Sequence, residues 1–471
     1  MSLSLSFTTL LKHYTEGPPG KSWDLKYHLT VAAMKNDDSI FTLPIEESQK
    51  KYDEYVGQFN VPSNIVIKEV ILDERYRQKS RPYLEKVLEQ YEDVLDEKWK
   101  ESSDGLHGEW VYTKEESQKN EMDKVVLHFH AGAYFLGSAK SSRKFTSKYA
   151  EYAKARVFSI DYRLSPQNQF PAALCDSIAA YLYLIYPGSD AGFEPINPKK
   201  IVFAGESAGG GLTFATLLFL RDAGLPLPGG AFGLSPWVDL THSMPSFWDA
   251  EVDKADFIPK LLGFHKTSPD EEFIANAKAL SDKISLKKPT IVGHPSFTEV
   301  PRVQLYCANE ALAIPYISPM LAESLGDLPP ILCQVGGLER FRDEAVLFGH
   351  KASSPHEYQL PSYAAKNFEK SSFKNPTKVV LEVYDDMVHI WPLLTSSKPS
   401  QVAFERFGKF VNCVTSIDGE NISINNLKEG IVAPSSSFIA MRVGTKGEIR
   451  ELNETDRDCL KWDKIGIVPK E

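Results

Sequence analysis

From about residue 125 onward, short β-rich apolar runs alternate with stretches of helical periodicity. The runs are Val125 to Phe129, Arg156 to Ile160, Ile201 to Ala204, Gly230 to Leu234, Ile331 to Val335 and Val379 to Tyr384. Each is short and almost continuously apolar, as expected of strands covered on both faces. Helical patterns such as Ala172 to Leu184 lie between them. This order predicts the α/β class, with a mostly parallel sheet and helices on both faces. Upstream, Ile65 to Leu72 and Gly108 to Thr113 read as two further strands at an antiparallel edge, which makes the expected sheet eight-stranded. Between those two, Leu84, Val87, Leu88, Tyr91, Leu95 and Trp99 recur at helical spacing. They predict an amphipathic helix packed on the body.

Two segments depart from this rhythm. Residues 1–60 contain Gly17-Pro18-Pro19-Gly20 and an aromatic-rich stretch from Trp23 to Tyr27. Residues 240–315 form a long excursion between two strands, rich in Pro, Phe and Lys. Long excursions in compact folds commonly serve as lids or binding elements. The expected organisation is a cap segment at 1–60 and a catalytic unit at 61–413, followed by a C-terminal extension at 414–471. The catalytic unit carries insertions at about 75–104 and 240–315, and the second, with residues 1–60, would form the cap.

One pentapeptide carries chemistry. Gly205-Glu206-Ser207-Ala208-Gly209 follows the apolar run at 201–204 and opens a helical stretch. A G-x-S-x-G sequence between strand and helix describes a tight turn that lifts a serine hydroxyl clear of the sheet. By chance alone the pattern would occur in roughly one chain in eight of this length, so its context must decide. In this arrangement the order is serine, acid, histidine. His389, just after the run ending at Tyr384, is the candidate base, since ligands sit at the carboxyl ends of strands in open α/β sheets. Glu339 and Asp343 both follow the run ending at Val335. Glu339 is nearer the strand end and is the preferred acid; Asp343 is the alternative, or a helix-start charge. Backbone N–H groups of Gly132, Ala133 and Ala208 are the candidate oxyanion donors. His130 would organise their loop rather than move protons.

Composition narrows the setting. The 471 residues suit one large α/β core with insertions, and the net charge of −10 argues against a general nucleic-acid surface. The five cysteines are dispersed and form no C-x-x-C pair, so neither a metal site nor a redox site is expected. Their sparse, odd number fits a reducing compartment, hence a cytoplasmic location. No run approaches the roughly 18 apolar residues of a membrane span, and no basic region precedes the first apolar residues. Peripheral association with the endoplasmic reticulum or lipid droplets is left open, as is the oligomeric state. Two glycosylation sequons, at Asn421 and Asn453, are near chance and carry no weight.

Taken as an ordered set, these motifs resemble the hormone-sensitive-lipase branch of the α/β-hydrolase fold. The H-G-G-G motif corresponds to His130-Ala131-Gly132-Ala133, and G-D/E-S-A-G to residues 205–209. D-Y-R-L-A-P corresponds to Asp161-Tyr162-Arg163-Leu164-Ser165-Pro166. Further matches are Phe170-Pro171-Ala172-Ala173, the segment from Ser235 to Thr241, and Ile317-Ser318-Pro319. The D-P-L-R-D-E block aligns with Glu339 to Glu344, and G-M-x-H with Asp386 to His389. The insertions look most like those of fungal steryl acetyl hydrolase-type members. The resemblance implies a carboxylic ester hydrolase acting through Ser207, Glu339 and His389 on short-acyl, acetyl esters of hydrophobic alcohols, without metal or organic cofactor.

Departures are instructive. Two oxyanion-motif glycines are alanines, which keep the N–H but cost about 1–2 kcal/mol wherever the backbone is left-handed. The usual aspartate is Glu339, one methylene longer. Two alternatives stay open at this stage: a non-catalytic binding protein on the same scaffold, and a hydrolase of lactones, amides or carbamates.

Overall fold

The structure, a computed structural model of the chain, describes residues 3–37, 43–56, 59–95, 97–101, 105–119, 124–259, 304–367, 369–416 and 438–452. Most of the 240–315 excursion, both sequons and Cys459 lie outside the described residues.

A single twisted sheet organises the molecule. Its strands are β1 (Ile65–Leu72), β2 (Leu106–Thr113), β3 (Val125–Phe129), β4 (Arg156–Ile160) and β5 (Ile201–Glu206). They continue as β6 (Gly230–Leu234), β7 (Ile331–Gly336), β8 (Val379–Tyr384), β9 (Phe438–Val443) and β10 (Ile449–Glu451). The spatial order is β1-β2-β4-β3-β5-β6-β7-β8-β9-β10. β1, β2 and β4 pair antiparallel, β4 through β9 run parallel, and β10 turns back antiparallel.

The eight expected strands are all present, but the expected sheet size is corrected: ten strands occur among the described residues. The additional pair comes from the C-terminal extension, where only weak strand signals were legible. β9 adds to the exposed edge of β8, and Met441 and Val443 are fully buried there. Arg442 bonds Asp385 at 2.8 Å, fixing the added strand to the end of β8. An edge strand of this kind is defined by its partner, not by its own short sequence.

Alternate residues of each central strand feed two cores. Val125, Leu127 and Phe129 face one, with the helices Ala172–Ile185, Ala208–Asp222 and Arg342–Ser353. Val126, Val202 and Ala204 face the other, with Arg143–Ala153 and Lys398–Val414. That double burial is why the strands read as continuous apolar runs rather than as alternating ones.

The expected amphipathic helix begins earlier, at Arg75–Leu88, and tightens into 3₁₀ turns at Glu89–Val94 and Glu97–Lys100. Leu84, Leu88, Tyr91 and Trp99 are nonetheless all buried. A buried Arg77–Asp176 ion pair at 2.6 Å fixes the helix against Ala172–Ile185. Among the described residues no helix is long and apolar enough to cross a membrane.

Candidate active site

The carboxyl ends of β3, β5, β6, β7 and β8 converge on Ser207. The turn from β5 into the helix Ala208–Asp222 puts Ser207 at φ 55° and ψ −121°. A side-chain-bearing residue rarely adopts such a conformation, and holding it costs roughly 1–3 kcal/mol. Close packing makes the turn possible. A methyl group on Gly209 would run into the carbonyls of Phe129 and His130, so helix and β3 could not approach as they do. Ser207 is 7 % exposed, at the N-terminus of a fifteen-residue helix whose dipole favours negative charge there.

The segment after β6 binds this turn to the other candidates. Ser207 N–H donates to the Leu234 carbonyl at 3.0 Å, and Trp237 N–H donates to the Ser207 carbonyl at 3.0 Å. Between them, Ser235 Oγ donates to Glu339 Oε2 at 2.7 Å and accepts Ile390 N–H at 3.0 Å. Four consecutive residues, 234–237, therefore touch the serine turn, the candidate acid and the residue beside the candidate base.

Glu339 and His389 are brought together. Both are buried, and Glu339 Oε1 lies 3.5 Å from His389 Nδ1. The other oxygen, Oε2, is fixed by Gly336 N–H at 2.7 Å as well as by Ser235. Burial raises the Glu339 pKa, and the hydrogen bond and charge of His389 oppose that rise. Asp343 lies elsewhere. It accepts Ser246 N–H at 2.9 Å and Arg342 Nε at 2.8 Å, at the start of the helix Arg342–Ser353. Its geometry is that of a helix-start charge.

Past β3, the loop carrying the candidate donors is sharply turned. Gly132 has φ 121°, and any side chain there would collide with the Leu136 carbonyl. Ala133 follows at φ 51°, whereas Ala131 is not left-handed, so the alanine cost falls on Ala133 alone. Among the described residues nothing accepts a hydrogen bond from the N–H of Gly132, Ala133 or Ala208. His130 is fully buried, stacks on Tyr162 with ring centroids 4.0 Å apart, and has Nδ1 2.7 Å from the Ala131 carbonyl. Burial drives its pKa down to about 3, so the ring is neutral and Nδ1–H is the donor to that carbonyl. Tyr162 Oη donates to the His130 carbonyl at 2.8 Å and completes the brace.

Both segments expected to form a cap reach these loops. From residues 1–60, Ser22 N–H and Trp23 Nε1 donate to Asp386, at 2.9 and 2.5 Å, and the Tyr27 hydroxyl meets Val388 N–H at 3.4 Å. From the excursion, Tyr306 stacks on Tyr134 at 3.7 Å, and Phe257 lies 5.8 Å from His389. Sequence reasoning overlooked Ser235. Its signal was a small hydroxyl residue immediately after a buried strand, inside a segment already matched to the family. Asp256, which faces the His389 N–H at 3.4 Å, had no such signal. Among the described residues no cluster of His, Cys, Asp or Glu is placed to hold a metal ion.

A serine at a helix N-terminus, an imidazole facing a buried carboxylate and N–H groups without an acceptor are the parts that acyl transfer uses. The relatives of the chain agree with that chemistry. Residues 126–263 match the family described as alpha/beta hydrolase fold. An acetyl-hydrolase of Streptomyces hygroscopicus is 30 % identical over 296 residues, 62 % of this chain and 76 % of that protein. An esterase of Acinetobacter venetianus is 26 % identical over 230 residues, 49 % of this chain and 61 % of that protein. The crystal structure of an esterase from the bacterial hormone-sensitive lipase family superposes with a TM-score of 0.53 at 23 % identity, covering 84 % of this chain and all (100 %) of the other. Sequence, fold and relatives thus converge: the chain belongs to the α/β-hydrolase family and is a carboxylic ester hydrolase of the serine type.

Proposed function

We propose that Ser207, His389 and Glu339 form the catalytic triad and that acetyl esters of hydrophobic alcohols are the substrates. His389 takes the proton of Ser207 as the hydroxyl oxygen attacks the ester carbonyl. The resulting oxyanion accepts hydrogen bonds from Gly132, Ala133 and Ala208. His389 then gives its proton to the departing alcohol, leaving an acyl-Ser207. Water, deprotonated by His389, attacks that acyl group and releases the carboxylic acid. Glu339 holds the imidazole in the tautomer with Nδ1–H and stabilises the imidazolium. The 3.5 Å separation is looser than a charge-assisted hydrogen bond of about 2.7–2.9 Å and tightens as the imidazolium forms.

The observation that carries this reading is the frame of residues 234–237, which hydrogen-bonds the Ser207 turn, Glu339 and the residue after His389. The acetyl preference is supported by the relative named acetyl-hydrolase. A fluorophosphonate probe, followed by peptide mass spectrometry, tests the triad. The adduct is expected on Ser207 and is expected to vanish in His389→Ala; intact protein that takes no label refutes the assignment. With nitrophenyl esters, acetate is expected to give the highest kcat/KM, and an optimum at octanoate would rule out the acetyl reading.

Contact with a lipid surface is part of the same proposal. It is supported by the helix Leu3–Thr15, where Phe7, Leu10, Leu11 and Tyr14 form one stripe and are 68 %, 38 %, 54 % and 74 % exposed. The chain should sediment with anionic vesicles, and Phe7→Asp with Leu11→Asp should leave it in the supernatant. Equal sedimentation of the two proteins would refute this part.

A further inference from the structure

We propose that Asp256 is a positioning residue for ester hydrolysis, its buried carboxylate tying the loop that carries Glu339 to the loop that carries His389. The inference rests on the triad assignment above and extends it to a residue of the 240–315 excursion.

Asp256 follows the short helix Ala250–Ala255 and is 1 % exposed. Its Oδ2 accepts the N–H of Arg340, the residue after Glu339, at 2.9 Å. Its Oδ1 faces the backbone N–H of His389 itself at 3.4 Å and accepts the N–H of Phe257 at 2.9 Å. One carboxylate thus spans the backbone beside the acid and the backbone of the base. The excursion is itself held in place by Arg340, whose Nε donates to the Ile258 carbonyl at 2.7 Å while its terminal nitrogens bond the Phe247 carbonyl and Asp253. The imidazole is walled by Phe257 and by Phe341, whose ring stands edge-on at 5.0 Å.

The charge on Asp256 matters as well as its reach. The groups facing it are His389 and Tyr27, the carboxylate of Glu339, and the cation Arg340. Burial pushes the Asp256 carboxyl up, while His389, Arg340 and the backbone donors pull it back toward the ionised form. Three N–H groups aimed at its oxygens favour the carboxylate, since a protonated oxygen accepts poorly. Ionised Asp256 places a second negative charge beside the imidazole. With Glu339 it stabilises the positive charge that develops on the ring when Ser207 is deprotonated.

The full chain carrying Asp256→Asn or Asp256→Glu tests this, with kcat and KM for nitrophenyl acetate measured across pH beside the parent protein. In Asp256→Asn the lost charge should move the acid limb of the kcat profile to lower pH, by about half a unit or more, with KM within about two-fold. Plateau kcat should fall about ten-fold, because the amide cannot accept N–H bonds at both ends. Asp256→Glu keeps the charge, so its acid limb should stay near that of the parent. Its longer chain cannot span the same two N–H groups, and kcat should again fall about ten-fold.

Parent-like kcat and acid limb in both variants overturn the proposal. A fall in kcat for Asp256→Asn with an unmoved acid limb overturns it too, since disturbed packing alone would produce that. Should the Asn variant fail to fold, undiminished kcat in the Glu variant is enough to reject the bridge. Fluorophosphonate labelling run in parallel separates this from the triad. Label on Ser207 that is lost in His389→Ala leaves the triad standing whatever Asp256 does, whereas label that persists in His389→Ala refutes the triad itself.

Discussion

Ser207→Ala should lower kcat by about 10⁶-fold while leaving the melting temperature almost unchanged. The rate falls because the proposed nucleophile is lost from the N-terminus of the helix Ala208–Asp222. Stability survives because alanine also carries a Cβ. The strain at φ 55° is the same for both residues, and Ser207 contributes its backbone, not its hydroxyl, to the frame at Leu234 and Trp237. Activity assays with a nitrophenyl ester and a thermal melt check both halves. Hydrolysis within about ten-fold of the parent would mean that another nucleophile operates.

Glu339→Gln is expected to lower kcat by about 10⁴-fold, or about 5 kcal/mol of transition-state stabilisation. The direction follows from the hydrogen bonds. Gly336 N–H and Ser235 Oγ both donate to Oε2, so an amide would place its single oxygen there and turn its NH₂ toward His389. An NH₂ facing Nδ1 stabilises the tautomer with the proton on Nε2, which cannot take the proton of Ser207. Asp343→Asn should keep kcat within about three-fold, because Asp343 serves Ser246 and Arg342 at a helix start. Its effect should be seen in the melt, as a loss of about 1 kcal/mol. The opposite pattern, with Asp343→Asn inactive and Glu339→Gln active, would reassign the acid.

The two substitutions also mark how far reasoning from sequence can reach. Glu339 and Asp343 are four positions apart, and both follow a strand. Sequence position favoured Glu339 by its closeness to the strand end, but could not say where either carboxylate points. That depends on β6 lying beside β7, which brings Ser235 to Glu339, and on the loop after β8, which brings His389 to the other oxygen. The oxyanion loop was legible in a similar, partial way. His130-Ala131-Gly132-Ala133 announced a tight turn, yet which alanine would be left-handed was decided only by the packing of Gly132 against Leu136.

Much of the fold was fixed locally. Apolar runs buried on both faces, alternating with helical periodicity, specify a parallel α/β sheet because no other arrangement covers such strands. The serine turn was equally local, since a strand, two small residues and a helix are all it requires. What remained hidden was non-local. β9 exists as a strand because β8 offers it an edge: Phe438 pairs with Val379, fifty-nine residues earlier in the chain. Ser235 and Asp256 matter only because the tertiary fold places their oxygens between loops that are far apart in sequence. The sequence by itself determined the sheet, the serine turn and the order of the candidate groups, all of which depend on neighbours within a few residues. The tertiary structure decided which carboxylate meets His389 and what holds it there, because hydrogen-bond distances between separate loops are set by packing and not by spacing along the chain.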